Sequence, residues 1–167
     1  MVKVKHAMDK DTEIVGLGIP WDQLPVGRRF RTVGRTITEA DLVAFIGATA
    51  MVEVLFTDTT AQTGNAVQGR LVPAALVYSF SEGLLIQSVI QGVGLAFIDM
   101  NLAVKAPTLV GDTIHVEVEV IESRESRKRP GTGLVRTRNT VVKQDGTAVL
   151  EYTPLRMLRG SKDLASH

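Results

Sequence analysis

Residues 73–91 read PAALVYSFSEGLLIQSVIQ. Pro73 suits a first helical turn, Gly92 and Gly94 end the run, and Glu82 is the only charge in it. A helix that is apolar nearly all round is enclosed by other structure rather than laid on a surface. The run is not read as a membrane span. Pro73, Ser79, Ser81, Glu82, Gly83, Gln87 and Ser88 interrupt it, whereas a span needs about 20 predominantly apolar residues.

C-terminal to this helix the hydrophobic period changes. Gly94 to Lys105 reads as a strand ending in Ala106-Pro107, with Asp99 and Asn101 alternating against Ile98, Met100 and Leu102. After Gly111-Asp112, Thr113 to Ile121 alternates cleanly. Ile114, Val116, Val118 and Val120 share one face; Thr113, His115, Glu117 and Glu119 share the other. A basic loop follows, then a strand from Leu134 to Lys143, a tight turn at Gln144-Asp145-Gly146, and a last strand from Thr147 to Leu158.

N-terminal to the helix, Gly27 to Ile37 has strand character, with Phe30 and Val33 as core candidates. Thr38 is an N-cap with Asp41 at the third helical position. The helix from Glu39 to about Thr49 places Leu42, Phe45 and Ile46 on one stripe. Asp58 reads as the cap of a short helical turn before Gly64 and Asn65.

One strand, helical pieces, a long enclosed helix and a four-strand meander make an α+β hotdog fold, an antiparallel sheet wrapped around one central helix. Residues 1–19 read as an extended lead-in, 20–160 as a single hotdog domain and 161–167 as a flexible tail. A sheet that covers only its own helix keeps an exposed edge, so at least a dimer is expected. Bulk composition narrows the function. A chain of 167 residues with 44% hydrophobic and 22% charged residues is globular. A net charge of +1 gives no argument for nucleic acid, and no membrane partner is expected. Zero cysteines remove disulfides, thiolate metal sites and a cysteine nucleophile, and fit a cytoplasmic location. No cluster has metal-ligand spacing, and no nucleotide fingerprint points to a cofactor.

Three segments taken together resemble the MaoC-like dehydratases, hotdog proteins that include the (R)-specific enoyl-CoA hydratases. They are TITEADLVAFIGAT (36–49), the helix entry GRLVPAALV (69–77) and the meander from Leu109 to Tyr152. The hydratase motif of that family reads roughly F-x-G-x-T-G-D-x-N-P-x-H-x-D. Phe45, Gly47, Thr49 and Asp58 match it without a gap. The resemblance puts Met51 at the catalytic aspartate position and Phe56 at the catalytic histidine position, with Glu53-Val54 replacing Asn-Pro. Hydration needs a base for water and an acid for the α-carbon, and Met and Phe supply neither. His6, His115 and His167 lie elsewhere in the sequence and do not restore the pair. At the helix entry the family uses a glycine amide to polarise the thioester carbonyl. Here the residue is Ala74, whose amide can still donate.

Glu53, set among Met51, Val52, Val54, Leu55 and Phe56, is the candidate acid/base if buried; otherwise it faces solvent or pairs with an arginine such as Arg70. Thr57, Ala74 and Tyr78 are candidate substrate contacts. Arg127, Lys128 and Arg129, with Arg124, are candidates for the phosphates of coenzyme A, or simply solvated charges of a hairpin tip. Glu82 reads as paired or as lying at the helix's one exposed edge, or else as reaching a tunnel wall or dimer partner. Three functions stay open. The first is an acyl-thioester (acyl-CoA) binding protein without the standard pair, as a homodimer or in a heteromer with an intact MaoC-like subunit. The second is a divergent hydro-lyase or thioesterase using Glu53. The third is a structural or regulatory hotdog dimer.

Overall fold

The computed structural model describes residues 14–60, 67 and 69–164. Its strands are β1 (Arg29–Arg31), β2 (Arg35–Thr36), β3 (Gly94–Asp99), β4 (Leu102–Val104), β5 (Thr113–Glu125), β6 (Thr132–Lys143), β7 (Ala148–Tyr152) and β8 (Leu155–Arg159). The helices are α1 (Glu39–Thr49), α2 (Val54–Thr57), α3 (Ala74–Leu85) and α4 (Ser161–Leu164). Three of the five lanes of the sheet are broken. β1 and β2 both pair with β5, β5 with β6, β6 with both β7 and β8, and the edge lane sets β4 on β7 and β3 on β8. Every pairing is antiparallel, and the sheet curves around α3 in the hotdog arrangement.

The breaks correct three expected continuous strands. Between β7 and β8, Pro154 has no N–H to give to the ladder. The neighbouring amide of Thr153 bonds instead to the carbonyl of Asn101, in the gap between β3 and β4. Two adjacent lanes therefore bend at the same level. The first lane breaks at Thr32–Gly34, and Val33, expected in the core, is 78% exposed there. Phe30 does pack against the core.

α1 follows the sequence reading closely. The amide of Asp41 donates to Thr38 Oγ1 at 3.2 Å, and the amide of Thr38 donates to Asp41 Oδ2 at 2.8 Å, a complete capping box. Leu42 and Ile46 are buried, with Phe45 packed beside them. α3 runs on as a π-helical turn from Ile86 to Ile90. Its serines are satisfied inside the helix: Ser79, Ser81 and Ser88 donate to the carbonyls four residues back. The buried face of β5 (Ile114, Val116, Val118) packs with Leu76, Val77, Leu84 and Leu85 of α3 in one core. One edge of α3 stays open, with Ile86, Gln87 and Ser88 exposed, so a single copy does not enclose the helix completely.

A smaller core of Leu24, Val93, Val120, Val135 and Leu158 lies under Trp21. Gly133 makes room for that ring: a Cβ there would stand 2.2 Å from Trp21 Cγ. The lead-in is tied down from Gly18, whose amide bonds the carbonyl of Gln91 at 2.7 Å. The expected loose tail is instead α4 through Leu164. The Ser161 amide and hydroxyl both donate to Asp22 Oδ1, at 3.1 and 2.9 Å. Residues 165–167, the lead-in before residue 14, and Gly64 and Asn65 lie outside the described residues.

Candidate functional site

α1 ends at Ala50, which takes a left-handed conformation (φ 56°) and turns the chain into the segment carrying Met51 to Asp58. α2 forms there, before Asp58 rather than after it. Glu53 is its N-cap, Glu53 Oε2 accepting from the Leu55 amide at 2.7 Å. Asp58 closes α2 and accepts from the amide and hydroxyl of Thr60 at 2.8 and 2.6 Å. Glu53 caps α2 because the first amides of a helix have no acceptor within it.

This placement answers the Glu53 question. The residue is exposed and committed to the backbone, so the burial that an acid/base role required is missing. It does not pair with Arg70 either. The Arg70 guanidinium bonds Glu39 of α1 through Nε and Nη2, at 3.0 and 2.8 Å to Oε1, and its Nη1 donates to the carbonyl of Phe56. One arginine thus joins the start of α1, the end of α2 and the entry to α3.

Phe56 and Ala74 meet in an apolar cleft of about 410 Å³ at the N-terminal end of α3. Leu71, Val72, Pro73 and Val77 form one wall; Val104, Val149 and Leu150 form the other. Ala74 is the first residue of the helix, and Pro73 gives no side-chain cap, so the Ala74 amide has no acceptor within its own helix. Lys105, on the rim, is the one ionisable side chain in the lining among the described residues.

The other candidates are not brought there. The Thr57 hydroxyl is exposed and donates to the Glu53 carbonyl at 3.0 Å. Tyr78 stacks edge-on against Tyr152, with ring centroids 5.2 Å apart. Burial, reinforced by Glu82, raises its phenol above the ordinary range. Arg127, Lys128 and Arg129 occupy the exposed tip of the β5–β6 hairpin. Val116 pairs with Val141, and Val141 with Leu150 of the cleft; from that level to the tip is about 30 Å of strand. The same chain cannot place those charges at its own cleft. Arg124 pairs with Glu122 at 2.8 Å.

Lys105 and the wall of Val104, Val149 and Leu150 were not singled out by sequence reasoning. Their alternation announces only a strand, and the wall exists because β4 pairs with β7 beside the helix entry. A second open groove, of about 460 Å³, runs along β1, β5 and β6. Three of its charges are paired with one another: Glu119 takes Arg29 at 3.0 Å and Arg138 at 2.9 Å. Among the described residues no group of His, Asp and Glu could hold a metal ion, and no helix is long and apolar enough to cross a membrane.

Comparison with known proteins agrees with this architecture. A MaoC-like dehydratase from Rhodospirillum rubrum shares 23% identity at a TM-score of 0.75, over 86% of this chain and 98% of that one. A protein from Mycobacterium tuberculosis described as a double hotdog fold shares 25% identity at 0.79, over 90% of this chain and 47% of that one. The HadBC complex of the same organism, a 3R-hydroxyacyl-ACP dehydratase, shares 20% identity at 0.63, over 79% of this chain and 96% of the matched chain. No curated protein matches the sequence. The family model for the FAS1-like dehydratase domain region matches residues 25–152, every named lining residue of the cleft and all of the sheet but β8 included. The chain belongs to the FAS1-like dehydratase domain region family, and its fold is the hotdog.

Proposed function

We propose that this protein binds acyl thioesters, acyl-CoA among them, in the cleft at the start of α3, and that it does not itself carry the proton-transfer pair of a hydratase. The observation that carries the reading is the meeting of Phe56 and Ala74 in one apolar cleft. An amide directed at a carbonyl oxygen in an apolar, water-poor site is worth more than the same bond in water. Phe56 stands where the family motif has its histidine, and Met51 where it has its aspartate. The cleft therefore retains a carbonyl contact while neither side chain exchanges a proton.

A second hotdog domain completes the site in this reading. Its seat is the edge lane, where Phe97 and Ile98 are each 48% exposed and Val104 is 57% exposed. An edge strand presents unpaired backbone groups beside these side chains, and proteins do not leave such an edge uncovered. The double-hotdog neighbour and the HadBC complex support a paired arrangement, the first by holding about two such lengths in one chain. The partner is a second copy or a MaoC-like subunit with an intact Asp and His.

Calorimetry with butyryl-CoA and a hydration assay with crotonyl-CoA test the proposal. Binding without hydration by the protein alone is expected. Hydration by the protein alone that disappears in Glu53→Gln would instead establish the divergent-enzyme reading.

A further inference from the structure

Lys105 stands apart from the other cations around the cleft. Arg70 is held by Glu39 and by the Phe56 carbonyl, and Lys143 by Asp112 at 3.2 Å. Lys105 makes no ion pair among the described residues. Among the described residues no acidic side chain lines the cleft. The Lys105 backbone is nevertheless fixed, its amide donating to the Val149 carbonyl at 2.9 Å where the β4–β7 ladder ends. An apolar cleft therefore has one positive charge anchored on its rim with no internal partner.

The geometry points to Lys105 as a specificity residue that selects acyl thioesters whose acyl chain carries a carboxylate. The inference rests on the acyl-thioester reading of the cleft. With the thioester carbonyl at the Ala74 amide, the ligand has two directions in which to offer an anion. Along the carrier arm, the nearest phosphate lies far from the carbonyl, beyond the cysteamine, β-alanine and pantoate units. Along a short acyl chain, a terminal carboxylate falls within the cleft that Ala74 and Lys105 both line. Apolar walls such as Val104 and Leu150 strengthen that pairing by lowering the local dielectric. They also favour the methylene groups between carbonyl and carboxylate.

Calorimetry on the full chain with succinyl-CoA and butyryl-CoA, matched in acyl length, tests this. The unsubstituted protein is expected to bind succinyl-CoA about tenfold more tightly, as one charge-assisted contact implies. Lys105→Met should erase that preference, while Lys105→Arg should keep it. Butyryl-CoA binding with no succinyl preference would overturn this inference alone. An equal loss for both thioesters in Lys105→Met would place the lysine on the carrier arm and overturn it as well. Failure of both thioesters to bind the unsubstituted protein would overturn the cleft reading, and this inference with it.

Discussion

Glu82 of α3 and Arg156 of β8 are joined by Arg156 Nη2 lying 2.6 Å from both carboxylate oxygens of Glu82, and the Tyr152 hydroxyl donates to Glu82 Oε1 at 2.8 Å. The only charge on the central helix is thus neutralised from the sheet, in a place where both side chains are largely shielded. The pairing expected for Glu82 from sequence is what the structure has. Burial first, and then the Glu82 carboxylate, pushes the Tyr152 phenol far above its ordinary range, so it remains a donor.

Glu82→Gln should therefore destabilise the protein by about 3 kcal/mol, because it leaves the Arg156 charge shielded and unpaired. Chemical denaturation measures the loss. Glu82→Leu combined with Arg156→Met should recover much of it, since the double substitution leaves no orphaned charge. A double variant as unstable as Glu82→Gln would contradict this account.

Ala74→Pro tests the carbonyl contact without disturbing the helix. Proline is tolerated at a first helical position, and Pro73 already has the extended ψ of 134° that a following proline requires. Unfolding should be nearly unchanged, while butyryl-CoA affinity falls about tenfold with the lost amide donor. Unaltered affinity in a folded variant would remove the Ala74 amide from the site.

Acid stability should depend on Asp112. Burial alone would raise its carboxyl, but the Leu109 amide, Gln144 and Lys143 outweigh burial and hold it below the usual aspartate range. A carboxylate depressed on folding gives stability that is complete above its unfolded value, roughly 3.9, and is lost as pH falls through the folded value. Asp112→Asn should be less stable near neutrality and show a shallower decline toward low pH. Thermal unfolding across the acid range is the measurement.

Gly133→Ala should cost about 1–3 kcal/mol, because its Cβ would overlap the Trp21 ring. Tryptophan fluorescence should shift to the red as the ring leaves its seat over the smaller core. The protein has a single tryptophan, so the signal is unambiguous.

Ile98→Lys should leave the fold intact and reduce the oligomer, since Ile98 lies half-exposed on the edge lane. Sedimentation velocity would show the smaller species. An unchanged sedimentation coefficient would move the partner surface away from β3 and β4.

Much of this molecule was legible because its signals are local. The Thr38–Asp41 box spans one helical turn, the β5 alternation is a two-residue period, and the apolar packing of α3 follows from a near absence of charge. Phe56 and Ala74, singled out separately in the sequence, line one cleft. Of the placements left open for Glu53 the structure takes the solvent-facing one, because five apolar neighbours in sequence do not bury a residue. Its segment leaves Val52, Val54 and Leu55 exposed as well.

The central helix and its apolar face were determined by the sequence alone, since turn chemistry and hydrophobic period act over a few residues. Only the tertiary structure decided what surrounds that helix. Arg70 chose Glu39, 31 residues away, over the nearer Glu53. The breaks at Asn101 and Pro154 aligned across two lanes, and β4 met β7 to raise the second wall of the cleft. The basic hairpin tip was carried a strand's length from the cleft. These outcomes depend on strand register and curvature, which arise from pairing distant segments and leave no trace in the spacing of residues along the chain.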